Sequence, residues 1–213
     1  MSGSHRRHAS GLGFGLVHNR RKLLLGAAGV LALAGLVFNV SQFAPDTAAH
    51  EWIEYAGLAL IVICIVGRTW SSMYIGGRKL KGIVTDGPYS IVRNPLYVFS
   101  VIGAAGVGMQ LGSVTAGGLL GTVVFIFFYL LTIQEERVLE KLHGDVYRDY
   151  CSRVPRMVPD LRLWHDAERI EISPRVVRST FFDALIFLVA VPAFEMLENL
   201  QVAGYVPTLF HIY

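Results

Sequence analysis

GPYSIVRNPLYVFSVIGAAGVG runs from Gly87 to Gly108. It opens as a turn, passes Arg93-Asn94-Pro95 and becomes an apolar run of membrane length. Polar groups at the mouth of a membrane span are costly, so residues placed there call for a functional reason. The stretch sits in a chain of 213 residues that is 53% hydrophobic and 16% charged, with mean hydropathy +0.48. Soluble domains carry about 25% charged residues, so this composition excludes an ordinary soluble globule and points to a membrane protein.

Working outward, five apolar stretches approach the roughly 20 residues a helix needs to cross a bilayer. They are residues 23–43, 52–70, 96–111, 114–133 and 181–200. The fifth is the least regular, since it contains Asp183, Pro192, Glu195 and Glu198. The runs are continuous rather than alternating, and backbone groups in lipid must be satisfied within the segment, so helices are expected. The expected fold is an all-α integral membrane protein with about five transmembrane helices and cytoplasmic cofactor-binding loops. The first run has the basic flank of a signal peptide but no clear cleavage site, which favours an anchor.

Charge orients the spans. The 19 Lys and Arg residues cluster in 6–22, 68–93 and 137–178, and none lies in 44–51, 112–113 or 201–213. All therefore fall on one side of a five-span arrangement, which the positive-inside rule makes cytoplasmic. The expected organisation is a basic cytoplasmic segment 1–22, two spans within 23–75, a core over 76–160, and a cytoplasmic segment plus last span over 161–213. Two cysteines, Cys64 and Cys151, do not suggest a disulfide framework. No metal motif is evident, and no nucleic-acid partner is expected.

The elaborate segments are the cytoplasmic ones. In the first, Asp86-Gly87-Pro88 has turn chemistry, and Asn94-Pro95 reads as a helix start with Asn94 as cap and Pro95 at the first helical position. The amides of that helix end could receive a carboxylate. The same residues also fit a basic interfacial loop with a capped helix. In the second, Glu135 and Glu136 are neighbours on a helix and project about 100° apart, so they cannot share one task. Glu135, at the lipid junction, is expected to face inward, whereas Glu140 and Lys141 read as a solvated face. Tyr147 and Tyr150 share a helical face and read as anchors in the interfacial aromatic belt. Pro155 and Pro159 favour an extended strap. The Gly103–Gly108 run suits close helix packing; no strand precedes it, so a dinucleotide fingerprint lacks its context.

Together, LKGIVTDGPYSIVRNPLY at 80–97 and EERVLEKLHGDVYRDYCSRVPRMVP at 135–159 resemble the isoprenylcysteine carboxyl methyltransferases, integral membrane enzymes that use S-adenosylmethionine. Phospholipid and thiol methyltransferases share the C-terminal pattern. The resemblance implies cofactor contacts at Lys81, Gly82, Ile83, Val84, Tyr89, Asn94, Pro95, Leu96, Tyr97 and Glu135, catalytic roles for Arg93 and Glu136, and a substrate-facing position at Leu131. Asn94 replaces the family's histidine and cannot titrate as a base. Leu131 replaces an arginine that meets the substrate carboxylate in eukaryotic members. The chain also continues past the Val-Pro strap to Tyr213. The implied activity is methyl transfer from S-adenosylmethionine to a lipophilic small-molecule or prenylated acceptor, with membrane lipid around it. If the acceptor brings a proton, Glu136, His143 and Asp145 are the candidate bases. An NADPH-dependent reductase of the sterol-reductase type is the main rival reading, and a non-enzymatic membrane protein that retains the cytoplasmic loops as structure is the second.

The charge asymmetry makes a direct prediction. A reporter fused after Tyr213 should be outside the cytoplasm, and one inserted beside Arg162 inside. Both on one side would remove the fifth span.

Overall fold

The computed structural model describes residues 39–41, 47–76, 82–205 and 210–212. Helix α1, Ala48–Ile75, starts where the Thr47 side chain accepts from the His50 amide, and it ends at Gly76. A four-residue helix, α2, covers Pro88–Ile91. Helix α3 is Pro95–Met109, and α4 is Val114–His143. Helix α5, Asp145–Arg153, follows after Gly144, whose φ of 58° reverses the chain. After a 3-10 turn at Leu161–Leu163, α6 covers Pro174–Ala184 and α7 Ile186–Val202.

Among the described residues, three helical runs are long and apolar enough to cross a membrane: α1, α4 and the joined run Pro174–Gln201, with α3 shorter. The last run covers the fifth expected span, and Pro192 lies inside it. The first expected span, 23–43, lies outside the described residues except for 39–41, and those are not helical. Asn39–Ser41 forms β1, paired in parallel with β2, Phe210–Ile212.

Helix α4 outruns its expected end at Ile133. Its 30 residues span about 45 Å against a hydrocarbon core of about 30 Å. The surplus carries Glu135 and Glu136 out of the apolar layer on a rigid helix. Helix α1 likewise continues past Trp70 to Ile75.

Lipid supplies no hydrophobic drive between helices, so close backbone approach must hold them. Glycines provide it. A Cβ on Gly106 would lie 2.5 Å from the Gly57 carbonyl of α1, and one on Gly103 would lie 2.5 Å from Cys64 Sγ. A Cβ on Gly108 would lie 2.5 Å from the Ala116 carbonyl of α4. The contacts run in opposite order along α1 and α3, so the two helices are antiparallel, with α4 packed on the other side of α3. The turn between α3 and α4 uses Gly112 at φ 61° and Ser113, which caps α4 by accepting from the Ala116 amide at 3.2 Å.

Gly106→Ala should therefore lower stability in detergent by about 1–3 kcal/mol through overpacking. At Gly118 a Cβ meets nothing within 4 Å, and Gly118→Ala should be neutral or stabilising by up to about 1 kcal/mol. Thermal unfolding of the two variants side by side checks this; equal shifts would contradict the packing argument.

Candidate functional site

The loop before α3 is shaped by its turn. Gly87 has a φ of 59°, its amide donates to the His165 carbonyl at 2.9 Å, and the Tyr74 ring occupies the space a Cβ would need. Pro88 then starts α2, which buries Tyr89 and Ser90. The strap that follows α5 is stitched to the end of this loop. The Arg93 amide donates to the Pro155 carbonyl, and the Asp160 amide to the Ile91 carbonyl, each at 2.9 Å.

Asn94 occupies the capping position of α3, but its side chain does not cap. Its Nδ2 donates instead to the Arg156 carbonyl at 3.1 Å, a third stitch to the strap. The capping expectation is corrected accordingly: the strap carbonyl faces the amide, and the Asn94 backbone carbonyl alone receives the Tyr97 and Val98 amides.

The glutamates diverge, as their helical spacing requires. Glu135 accepts from Tyr97 Oη at 3.0 Å on each oxygen and, among the described residues, has no cationic partner. Glu136 is buried and doubly paired. Arg156 reaches it through Nε at 3.0 Å and Nη2 at 2.7 Å, and Arg93 through Nη1 at 3.2 Å. Hydrogen bonding to Glu136 raises the Arg156 guanidinium above its ordinary value, and the same guanidinium lies 5.2 Å from the Tyr129 ring centre.

These residues surround one cavity of about 450 Å³. The loop contributes Gly82, Ile83, Val84, Tyr89, Arg93, Asn94, Pro95, Leu96 and Tyr97, and α4 contributes Glu135, Glu136, Val138, Leu139 and His143. Helix α5 closes it with Tyr147 and Tyr150. Lys81 lies outside the described residues. Leu131 stands one turn before Glu135 and is not part of the cavity wall. Asp145 is exposed and pairs with Arg148, away from the cavity. His143, one of the candidate bases, lies on the wall.

Tyr147 and Tyr150 also depart from expectation. They are buried, not interfacial anchors, and Tyr150 Oη donates to the Tyr89 carbonyl at 2.7 Å. Their i, i+3 spacing was a sound signal for one face; the partner of that face was the cavity rather than lipid. Burial pushes the phenols of Tyr89, Tyr147 and Tyr150 up, so all three are neutral donors at physiological pH. Tyr89 Oη is buried and meets no hydrogen-bond partner among the described residues. An unpartnered buried hydroxyl is expensive unless a ligand satisfies it.

Comparison with known proteins adds the family. The model of the phospholipid methyltransferase family matches residues 52–146. The nickel-cobalt-cadmium resistance protein NccN of Alcaligenes xylosoxydans xylosoxydans is 30% identical over 178 residues, covering 84% of this chain and 83% of that protein. The cobalt-zinc-cadmium resistance protein CzcN of Cupriavidus metallidurans is 28% identical over 180 residues, covering 83% and 82%. Protein-S-isoprenylcysteine O-methyltransferase B of Arabidopsis thaliana is 30% identical over 127 residues, covering 55% of this chain and 64% of that protein. No solved structure matches the chain. The two motif segments, the helical hairpin between them and these relatives agree, and the chain belongs to the phospholipid methyltransferase family of membrane methyltransferases, which includes the isoprenylcysteine enzymes.

Proposed function

We propose that the cavity binds S-adenosylmethionine from the cytoplasmic side and that the protein transfers its methyl group to a lipophilic acceptor entering from the bilayer. One observation carries the reading. Loop residues Gly82–Val84, Tyr89 and Asn94–Tyr97 converge with Glu135 on a single cavity of about 450 Å³, within the range typical of small-molecule sites. The wall chemistry fits a polar, cationic, aromatic ligand. Tyr89 Oη offers an unused donor. Glu135 offers a carboxylate with no cationic partner among the described residues. Ile83, Val84 and Leu139 supply apolar surface.

S-adenosylmethionine, when bound, supplies an electrophilic methyl group. The chain's contribution is position: aligning the acceptor with that methyl can contribute about 7–11 kcal/mol. Glu135, braced by Tyr97, accepts from the ligand's ammonium or hydroxyl groups. Glu136 and Arg93 do not act on protons in this reading. Their mutual pairing, completed by Arg156, holds loop, helix and strap in register around the ligand. A carboxylate acceptor needs no base. An amine or thiol acceptor would find His143 on the wall. The metal-resistance names belong to the relatives that bear them; the polar side chains described here converge on this cavity.

Calorimetric titration with S-adenosylhomocysteine tests the reading, with NADPH as the control ligand. S-adenosylhomocysteine should bind and NADPH should not; the reverse outcome would make the protein a reductase. Glu135→Gln should weaken binding about 10-fold or more, as loss of a charge-assisted hydrogen bond does, and Tyr89→Phe should weaken it about 5-fold. Glu140→Gln should leave it unchanged, since Glu140 pairs with exposed Arg148 at 3.5 Å.

Glu136→Gln separates an anchor from a base. As an anchor, it should lower stability by about 3 kcal/mol, because it leaves two arginines without their buried partner. A variant that kept full thermal stability and lost only turnover would restore a proton-transfer role.

A further inference from the structure

Arg68 is a charged residue of the membrane helices that does not line the cofactor cavity. Arg68 lies on α1, two turns before the helix ends at Ile75, and so within the apolar stretch rather than in the loop. Its Nη1 donates to Ser100 Oγ on α3. Its Nε is buried and has no partner among the described residues. No carboxylate among the described residues pairs with it. The neighbouring hydroxyls are occupied by their own helices: Thr69 bonds the Ile65 carbonyl at 2.7 Å, Ser71 the Gly67 carbonyl at 2.8 Å and Ser72 the Thr69 carbonyl at 2.7 Å.

A guanidinium has five N–H donors, and here one hydroxyl accepts from them. An ionised group at this depth, without a counter-ion, is expensive and by default marks a functional pathway. Its position relative to the cavity is informative. Ser100 lies one turn after Tyr97 on α3, so the two share a face. Tyr97 meets Glu135 at the cavity wall, and Arg68 meets Ser100 one turn deeper toward the bilayer centre. The residue that lacked a cation in the sequence, Leu131, is not on the cavity wall; a cation stands instead on a different helix.

We propose that Arg68 is a specificity-determining residue that receives the anionic head group of an amphiphilic acceptor entering from the bilayer. The proposal rests on the methyl-transfer reading for its setting. The open donors of the guanidinium fork suit an oxyanion, either a carboxylate or a phosphate. An acceptor held there keeps its apolar tail among the helices and its head one turn from the Tyr97–Glu135 wall. Ser100 is the positioning residue: it donates to the Leu96 carbonyl at 2.7 Å, so its oxygen is oriented to accept from Arg68.

The test uses the full chain in neutral detergent with three probes: oleate, lysophosphatidate and the neutral oleamide. At least one anionic probe should bind about 10-fold or more tightly than oleamide, as charged hydrogen bonds allow, and the tighter of the two identifies the head group. Arg68→Gln should cut that preference below about 2-fold with S-adenosylhomocysteine affinity unchanged. Arg68→Lys, which keeps the charge without the fork, should retain part of it. Equal binding of all three probes by the unaltered protein, or no binding of any, would overturn the proposal even if Arg68→Gln did not fold. So would a preference that survived Arg68→Gln. Absence of S-adenosylhomocysteine binding to the unaltered protein would instead defeat the methyl-transfer reading and leave the anion preference readable on its own.

Discussion

The Glu136 carboxylate, clasped by Arg93 and Arg156, is the interaction on which the polar face that holds the cavity depends. Three chain segments far apart in sequence meet there: the loop before α3, the extension of α4 and the strap after α5. Each is weak alone. The loop has one four-residue helix, and the strap has no regular structure. The ion triad joins them through hydrogen bonds from Arg156 and an ion pair with Arg93, and burial makes its rupture costly because a lone charge would remain. Backbone stitches from Arg93 and Asp160, and the Asn94 side chain, then fix the register of loop against strap.

Below that face, a different constraint governs. In lipid the helices must approach by shape, and glycines at 57, 106 and 108 let α1, α3 and α4 meet at backbone distance, while Gly103 makes room for the Cys64 side chain. Gly67 does the same for a side chain, since the Phe99 ring fills the place of its missing Cβ. Rigid packing of α3 matters for the site above it. Tyr97 and Ser100 are spaced by the helix alone, so the separation of the groups that meet Glu135 and Arg68 is set by the α3 backbone.

Much of this was legible in the sequence where one physical rule acted alone. Hydropathy located the helices, and the 100° step between neighbours required Glu135 and Glu136 to diverge. Gly87 marked a turn through its own backbone freedom, realised at a φ of 59°. What was not legible depended on partners distant in the chain. Asn94 looks like a cap because capping is a local habit; the Arg156 carbonyl that claims its amide lies 62 residues away. Tyr147 and Tyr150 look like belt residues until the loop beneath them is in place. Arg68, inside the expected 52–70 span, reads as the edge of the basic cluster that follows it; the Ser100 hydroxyl it meets lies 32 residues away.

The two proposed ligands come from opposite solvents, and the architecture must keep both routes open without letting water follow. A soluble cofactor is best received by groups beyond the hydrocarbon, and the surplus turns of α4 and the loop provide them. A bilayer amphiphile is best received by a cation below that level, reachable between helices. One face of α3 serves both, with Tyr97 turned to Glu135 and Ser100 to Arg68. Because a single helical turn separates these contacts, a ligand at either end bears on the same rigid element. The helix thereby sets the depth at which a head group from lipid and a methyl donor from water can meet, and that depth, rather than the chemistry of either residue alone, is what selects among amphiphiles of different head-group reach.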